Sequence, residues 1–285
     1  MRSHKLLIGL GMIALSIIFF VVYLLFAPET AESPRQSAEQ TRQAPEEEPE
    51  PEPEPPRLLN AQPVIDAWGE QQSGTYSIVV YDLENEEVIG THNEDEVYFA
   101  ASLYKLYVAY EGYLALQRGE YQASEPYQSG NTFGQCLDKM LRESDSPCAE
   151  KLWNELGKAD TTAQLESYGI NDTSMTAITT TAEDAATMLT RIWHGEELSA
   201  ANKQKLLASL ENQIYRDALA EGFKRGTFYN KVGFRGSNEY HDVGILELSN
   251  GRHYVVSVLT DGVGPRAMAD LAGQLYERLD VAESP

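Results

Sequence analysis

The chain has 285 residues, enough for one large domain or two small ones. It is acidic, with 44 Asp and Glu against 22 Lys and Arg and a formal net charge of −22. Because binding to nucleic acid depends on basic side chains that neutralise phosphates, this balance argues against a nucleic-acid partner. It leaves the fold open, since net charge bears on solubility and association more than on architecture.

The N-terminus predicts a membrane anchor. Residues 1–5 include Arg2 and Lys5 and precede an uncharged run over residues 6–26. A helix of that length would span about 31 Å, enough to cross the hydrocarbon core of a bilayer. We predict a cytoplasmic tip at residues 1–5, a single-pass signal anchor at residues 6–26 in the cell membrane, and an extracytoplasmic remainder. Cleavage of the signal is the alternative.

Residues 27–60 predict a disordered stalk. They are rich in proline and glutamate and have almost nothing apolar to bury. Proline stiffens such a segment and like charges extend it, so it could reach on the order of 100 Å. The stalk would hold a folded domain, residues 61–285, away from the membrane surface.

The pattern of the remaining chain predicts strands at both ends and helices between them. Residues 102–117 are apolar on nearly every side, which is typical of a buried helix. A polar-rich helical region follows over residues 121–221, and an amphipathic helix over residues 267–279 closes the chain. Runs rich in β-branched and aromatic residues predict strands at 75–82, 88–92, 229–234, 240–248 and 253–260. The simplest assembly is α+β, with one five-stranded antiparallel sheet flanked by helices and an inserted all-helical subdomain.

Ser102 and Lys105 form the only Ser-x-x-Lys in the sequence, at the start of the apolar helix. Residues three apart share one face of a helix, so an amine lies one turn from a hydroxyl. A serine becomes a good nucleophile only when a neighbouring base takes its proton. A lysine can be that base when burial lowers its pKa enough to keep it neutral.

Two further motifs follow this pair in the chain. They are Ser144-Asp145-Ser146 and Lys231-Val232-Gly233. Ser-x-x-Lys, Ser-Asp-x and Lys-x-Gly in this order resemble the penicillin-recognising serine enzymes, and the class A β-lactamases in particular. The resemblance covers about residues 62–282 and implies the β-lactamase and D,D-peptidase fold.

The resemblance also implies catalytic roles. Ser102 would attack a carbonyl and become acylated, with Lys105 as its base. Ser144 would pass a proton to the leaving nitrogen, and Lys231 would hold that hydroxyl and attract the substrate carboxylate. The backbone N–H groups of Ser102 and Phe234 would form the oxyanion hole. Asp145 is expected to brace its loop.

The substrate-binding positions depart from the family pattern. Ser146 replaces the family's asparagine, and Val232 replaces a threonine or serine that would hydrogen-bond a carboxylate. Arg235 is the candidate replacement anchor, because strand alternation places it on the same face as Lys231. Gly233 would leave room for substrate. Tyr104 is either a core residue or part of the cleft wall.

The deacylation machinery departs further. Class A β-lactamases carry a long loop with a glutamate that activates water, whereas residues 169–178 form a short segment without that pattern. Glu166 is expected to be an exposed helical residue. Asp172 is the only carboxylate in the short segment and the one candidate for a substitute base. The sequence therefore predicts slow deacylation.

Cys136 and Cys148 are the only cysteines, and they flank the Ser144 motif. In an extracytoplasmic domain they predict a disulfide, with two buried free thiols as the alternative. The histidines show no ligand spacing, so we predict neither a metal site nor a cofactor; His241 and Asp242 are expected on a strand surface or in a hairpin.

The resemblance implies a serine hydrolase, and we predict that it is a monomer anchored in the membrane through residues 6–26. Its substrate would be a small molecule such as a β-lactam, or a peptidoglycan-derived peptide resembling D-Ala-D-Ala. Two alternatives stay open. One is a D,D-carboxypeptidase or esterase with the same serine, and the other is a non-catalytic domain that binds the cell wall or a partner.

Overall fold

The computed structural model describes residues 59–280, in which the long strands lie towards the two ends of the chain and most helices lie between them. The strands are β1 (Thr75–Asp82), β2 (Glu87–His92), β3 (Tyr98–Phe99), β4 (Pro126–Gln128), β5 (Asn131–Thr132), β6 (Thr179–Thr180), β7 (Thr227–Arg235), β8 (Glu239–Glu247) and β9 (His253–Asp261). The helices are α1 (Gln62–Gly69), α2 (Tyr104–Arg118), α3 (Phe133–Arg142), α4 (Ser146–Leu156), α5 (Lys158–Ser167), α6 (Ala182–His194), α7 (Ala200–Glu211), α8 (Leu219–Gly222) and α9 (Pro265–Leu279). A 3-10 turn, Ala101–Leu103, precedes α2.

The five-stranded antiparallel sheet is confirmed, with strand order β2-β1-β9-β8-β7. The pairing of β1 with β9 joins the two ends of the domain along eight residue pairs. Each predicted strand lies within two residues of an observed one, and β1 matches at both ends. The two small strand pairs, β3 with β6 and β4 with β5, were not predicted, because two or three residues carry no readable alternation.

Both faces of the sheet are covered by apolar layers. On one face α1 and α9 pack against the strands, and the Trp68 indole Nε1–H of α1 donates to the Ala267 carbonyl of α9 at 2.9 Å. The other face carries the inserted helices, with α2 in the middle of that cluster. A sheet covered on both faces buries polar side chains of its central strands as well as apolar ones.

Helix α2 is buried on nearly every side, as its sequence predicted. Twelve successive residues from Tyr104 onward are buried. The Tyr107 hydroxyl lies 2.6 Å from the Thr180 hydroxyl, and the Tyr110 hydroxyl donates to the Glu196 carbonyl at 2.7 Å. The helix ends at Gly119, whose φ of +78° gives the left-handed cap that glycine adopts without strain.

The folded domain begins at least two residues before position 61. Leu59 packs against the apolar layer beside α1, and the Asn60 carbonyl accepts a 2.8 Å hydrogen bond from the Arg278 guanidinium. The predicted anchor, and the stalk up to residue 58, lie outside the described residues. Within residues 59–280, no helix combines the length and apolar character needed to cross a membrane.

Candidate active site

Ser102 lies in the 3-10 turn immediately before α2, where it is half-buried. The residue before it, Ala101, has a φ of +45°, a left-handed conformation that costs an alanine free energy. Such conformations persist where neighbouring structure fixes them, and they cluster at functional sites. Here the Ala100 N–H donates to the Ile178 carbonyl at 2.7 Å, which ties the turn to the loop before β6.

Gly233 fixes the other side of this turn. A Cβ atom at Gly233 would lie 2.8 Å from the Ala100 carbonyl oxygen and 3.1 Å from the Leu103 nitrogen. The space that the sequence assigned to substrate is therefore filled by the backbone of the nucleophile turn. Glycine at this position lets β7 approach Ser102 closely, and that is a correction to the expected role.

The Lys105 side chain is buried and lies at the centre of a set of oxygen atoms. Its Nζ is 3.0 Å from Ser102 Oγ, 3.0 Å from Ser146 Oγ and 2.7 Å from the Ser144 carbonyl. Burial lowers the pKa of Lys105 to about 8, against the opposing charges of Glu150 and Asp145. A substantial fraction of this amine is neutral near that pH and can accept the Ser102 proton.

Ser144 links two amines across the cleft. Its Oγ is 3.3 Å from Lys105 Nζ and 3.1 Å from Lys231 Nζ. Full burial and the positive charge of Lys105 hold the pKa of Lys231 well below its ordinary value. A hydroxyl between two amines can relay a proton from one to the other.

Ser144 itself has a φ of +57°, a second left-handed residue at the site. The Asp145 carboxylate caps the following helix, α4, by accepting the Cys148 N–H at 2.8 Å. Asp145 therefore holds the end of the Ser144 loop, in keeping with its expected bracing role.

Arg235, the cation at the outer end of β7 in the described part of the chain, is paired. The Arg235 guanidinium forms a two-pronged ion pair with Glu239, at 2.5 Å for both contacts, and lies 4.0 Å over the Phe99 ring. Val232 is buried, opposite Asp242 on β8. For Arg235 to bind a substrate carboxylate, as the sequence predicts, its ion pair with Glu239 must therefore break.

Aromatic rings border the same end of the cleft. Phe234 is 44 % exposed, and its ring centroid lies 5.8 Å from Tyr240 and 5.5 Å from Tyr215. Tyr104, by contrast, is 7 % exposed and packs on Trp153 of α4 with ring centroids 4.9 Å apart. Of the two options that the sequence left open for Tyr104, the core position is the one observed.

Asp172 and Glu166, the carboxylates considered from the sequence, do not lie among the groups around Lys105. Asp172 is exposed beside the N-terminus of α6, where its N–H donates to Asp184 at 2.9 Å. Glu166 is exposed on α5, as expected. The carboxylates whose charge reaches Lys105 are those of Asp145 and Glu150, and the sequence analysis missed Glu150. The sequence feature that could have identified Glu150 is its spacing of four residues from Ser146 on the same helix.

His241 and Asp242 are buried in the middle of the sheet, which corrects the expected surface position. His241 Nε2 is 2.9 Å from the Phe99 carbonyl, and its Nδ1 accepts the Thr260 N–H at 3.1 Å. Asp242 accepts hydrogen bonds from Asn230 and from the Leu219 N–H. Burial raises the pKa of Asp242 to about 7. Among residues 59–280, no group of three or more acidic, histidine or cysteine side chains could hold a metal ion.

The predicted disulfide is present between Cys136 of α3 and Cys148 of α4, with Cα atoms 5.1 Å apart. Both cysteines are buried. The bridge closes the chain segment that contains Ser144, and so it restricts the loop that faces Ser102.

Replacing both cysteines with alanine is expected to lower the free energy of unfolding by about 3 kcal/mol, since the cross-link restricts the unfolded chain. Urea unfolding of the Cys136→Ala, Cys148→Ala variant measures this loss. Wild-type protein with the bridge reduced is the matched control and should lose a similar amount. Unchanged midpoints in both samples would contradict the stabilising role.

The order of the sheet strands and the contacts that link Ser102, Lys105, Ser144 and Lys231 define a β-lactamase-like serine hydrolase fold. The model of the beta-lactamase enzyme family matches residues 60–279, so the chain belongs to that family. No curated protein matches the chain in sequence.

Solved structures resemble the chain in fold at low sequence identity. PBP-A is 20 % identical with a TM-score of 0.70, over 77 % of this chain and 95 % of its own. A β-lactamase from Xanthomonas campestris is 18 % identical with a TM-score of 0.71, over 78 % of this chain and 100 % of its own. A β-lactamase from Chitinophaga pinensis is 15 % identical with a TM-score of 0.71, over 77 % of this chain and 100 % of its own.

Proposed function

We propose that the protein is a membrane-anchored, extracytoplasmic serine hydrolase that β-lactams or D-Ala-D-Ala-like peptides acylate at Ser102. The observation that carries the proposal is the continuous contact chain from Ser102 through Lys105 and Ser144 to Lys231. A nucleophile, a base of lowered pKa and a proton relay are the groups that acyl transfer needs.

In this mechanism neutral Lys105 takes the Ser102 proton as Oγ attacks the carbonyl. The N–H groups of Ser102 and Phe234 receive the negative charge of the tetrahedral intermediate, a contribution of about 3–4 kcal/mol in comparable sites. Ser144 gives its proton to the leaving nitrogen and recovers one from the Lys105 ammonium, which becomes neutral again. The product of this half-reaction is an acyl-Ser102 enzyme.

The anchor at residues 6–26 and the stalk would place this site outside the cell membrane, where peptidoglycan fragments and β-lactams are available. A monomer suffices for the proposal, because all four groups come from one chain.

A second candidate, an esterase, is favoured by the pairing of Arg235 with Glu239. Ester substrates need no carboxylate anchor, whereas penicillins and D-Ala-D-Ala peptides carry a carboxylate. Comparing the acylation rates of an activated ester and of a penicillin separates the two candidates. A non-catalytic binding domain would react with neither.

Wild-type protein is expected to be labelled covalently by a fluorescent penicillin or a fluorescent activated ester. Ser102→Ala should abolish the labelling, because the acylated oxygen is removed. Ser237→Ala, in the exposed hairpin between β7 and β8, is the matched control and should be labelled as the wild type. Full labelling of Ser102→Ala would contradict the assignment of the nucleophile.

A further inference from the structure

The side of helix α4 that borders the cleft makes two contacts with the nucleophile segment. Near its start, Ser146 Oγ lies 3.0 Å from Lys105 Nζ. Two turns later, Trp153 packs against Tyr104. Glu150 is four residues after Ser146 and three before Trp153, so the helical repeat places all three on one side of α4. Glu150 therefore lies between two points at which α4 touches the nucleophile segment.

The Glu150 carboxylate is available for chemistry. It is exposed and has neither a hydrogen bond nor an ion pair with any of residues 59–280. Its charge nevertheless acts on the site, since it opposes the lowering of the Lys105 pKa and adds to the burial that raises the pKa of Tyr104. The carboxylate thus lies within electrostatic range of both side chains.

Neighbouring carboxylates have other partners. Asp145 caps α4, and Glu143 is paired with the Arg142 guanidinium at 2.6 Å. Asp172 lies at the start of α6, where its backbone N–H donates to the Asp184 carboxylate, and its charge is not among those that act on Lys105. Of the two carboxylates whose charge reaches Lys105, only Glu150 is uncommitted.

We infer that Glu150 is the general base for hydrolysis of the acyl-Ser102 enzyme. The inference rests on the proposed function and supplies the group that the short loop at residues 169–178 lacks. A carboxylate one helical turn from Ser146, which contacts Lys105, can hold a water against the face of the acyl carbonyl and remove its proton as it attacks.

The step balances with water as the only co-reactant. Glu150 accepts a proton from the water, whose oxygen bonds to the acyl carbon and forms the tetrahedral intermediate. The bond from that carbon to Ser102 Oγ then breaks, and Oγ takes up the proton that Glu150 accepted from the water, passed on through Lys105. The carboxylic acid product leaves, with Ser102 and Lys105 restored and Glu150 again a carboxylate.

The position of Glu150 also explains why this step should be the slow one. The carboxylate is exposed on a helix flank, so bulk water competes for it and no loop holds the attacking water in place. General-base catalysis loses efficiency when the base and the water are poorly fixed.

The test is the decay of the acyl-enzyme, followed by intact-protein mass spectrometry after excess fluorescent penicillin or activated ester is removed. Glu150→Gln keeps the size of the side chain, and its acyl-enzyme should decay about 10²-fold more slowly than that of the wild type. The decay is followed on adduct already formed, so a change in acylation through Lys105 does not enter the comparison. Glu150→Asp should restore part of the decay rate. Glu166→Gln, an equivalent change on the exposed side of α5, is the matched control and should decay as the wild type.

Rescue by a carboxylate distinguishes a base from a merely structural residue. Because Glu150→Gln keeps the size and polarity of the side chain, a structural role would leave its decay as in the wild type, whereas a base requires slow decay that Glu150→Asp partly restores. Equal decay rates in wild type and Glu150→Gln would overturn the inference while leaving acylation at Ser102 intact. If the wild-type protein forms no adduct, the proposed function fails, and the inference fails with it.

Discussion

Lys105→Met is expected to lower the acylation rate constant by about 10²–10⁴-fold, the usual contribution of a positioned general base. Among residues 59–280, the Lys105 amine is the only base within hydrogen-bonding distance of Ser102 Oγ, at 3.0 Å. Stopped-flow labelling with a fluorescent penicillin or activated ester measures the rate. Lys224→Met, which removes an exposed lysine paired with Glu221, is the matched control and should react as the wild type.

The same residue predicts the pH dependence of acylation. Because Lys105 acts as a base only when neutral, and burial lowers its pKa to about 8, the rate should rise as the pH increases through that value and level off above it. The Lys105→Met variant should lose the rise. A wild-type rate that is unchanged across this range would contradict the assignment of Lys105 as the base.

Slow deacylation is the second large effect. A penicillin or activated ester should give a burst of about one product per enzyme, followed by an acyl-enzyme that persists in the mass spectrum. The reason is the missing loop carboxylate, since a well-fixed base would accelerate the step by about 10²–10⁴-fold. Product release and adduct mass, measured on one sample over time, give both quantities.

Asp172→Asn is the informative companion variant. Its side chain lies beside the N-terminus of α6 rather than among the groups around Lys105, so the decay of the acyl-enzyme should not change. Sustained turnover at many cycles per second, without a persistent adduct, would contradict slow deacylation. A collapse of that turnover in Asp172→Asn would move the base to Asp172.

Local patterns predicted most of the fold because each relevant element is long enough to show its period. β1 and the other sheet strands have five or more residues with β-branched and aromatic side chains. Helix α2 is apolar on all sides, and its burial follows directly. His241 was misplaced because sequence shows that a residue lies on a strand, whereas burial depends on β8 lying between β9 and β7 with both faces covered.

The sequence likewise predicted one part of the candidate site and not the other. Spacing placed Ser102 beside Lys105, and motif order supplied Ser144 and Lys231, which the fold brings to the same cleft. The ion pair of Arg235 depends on which side chains meet across the hairpin, and no local pattern encodes that choice. For Glu150, the spacing from Ser146 gives the shared side of the helix but does not show that this side faces Lys105.

The most direct test of the account is to locate the adduct. Wild-type protein treated with a penicillin or an activated ester should gain the mass of one acyl group, and peptide-level fragmentation should place that mass on Ser102. The same treatment of Ser102→Ala should give no mass increase. An adduct on another residue, or an equal mass increase in Ser102→Ala, would contradict an acyl-enzyme mechanism at this serine.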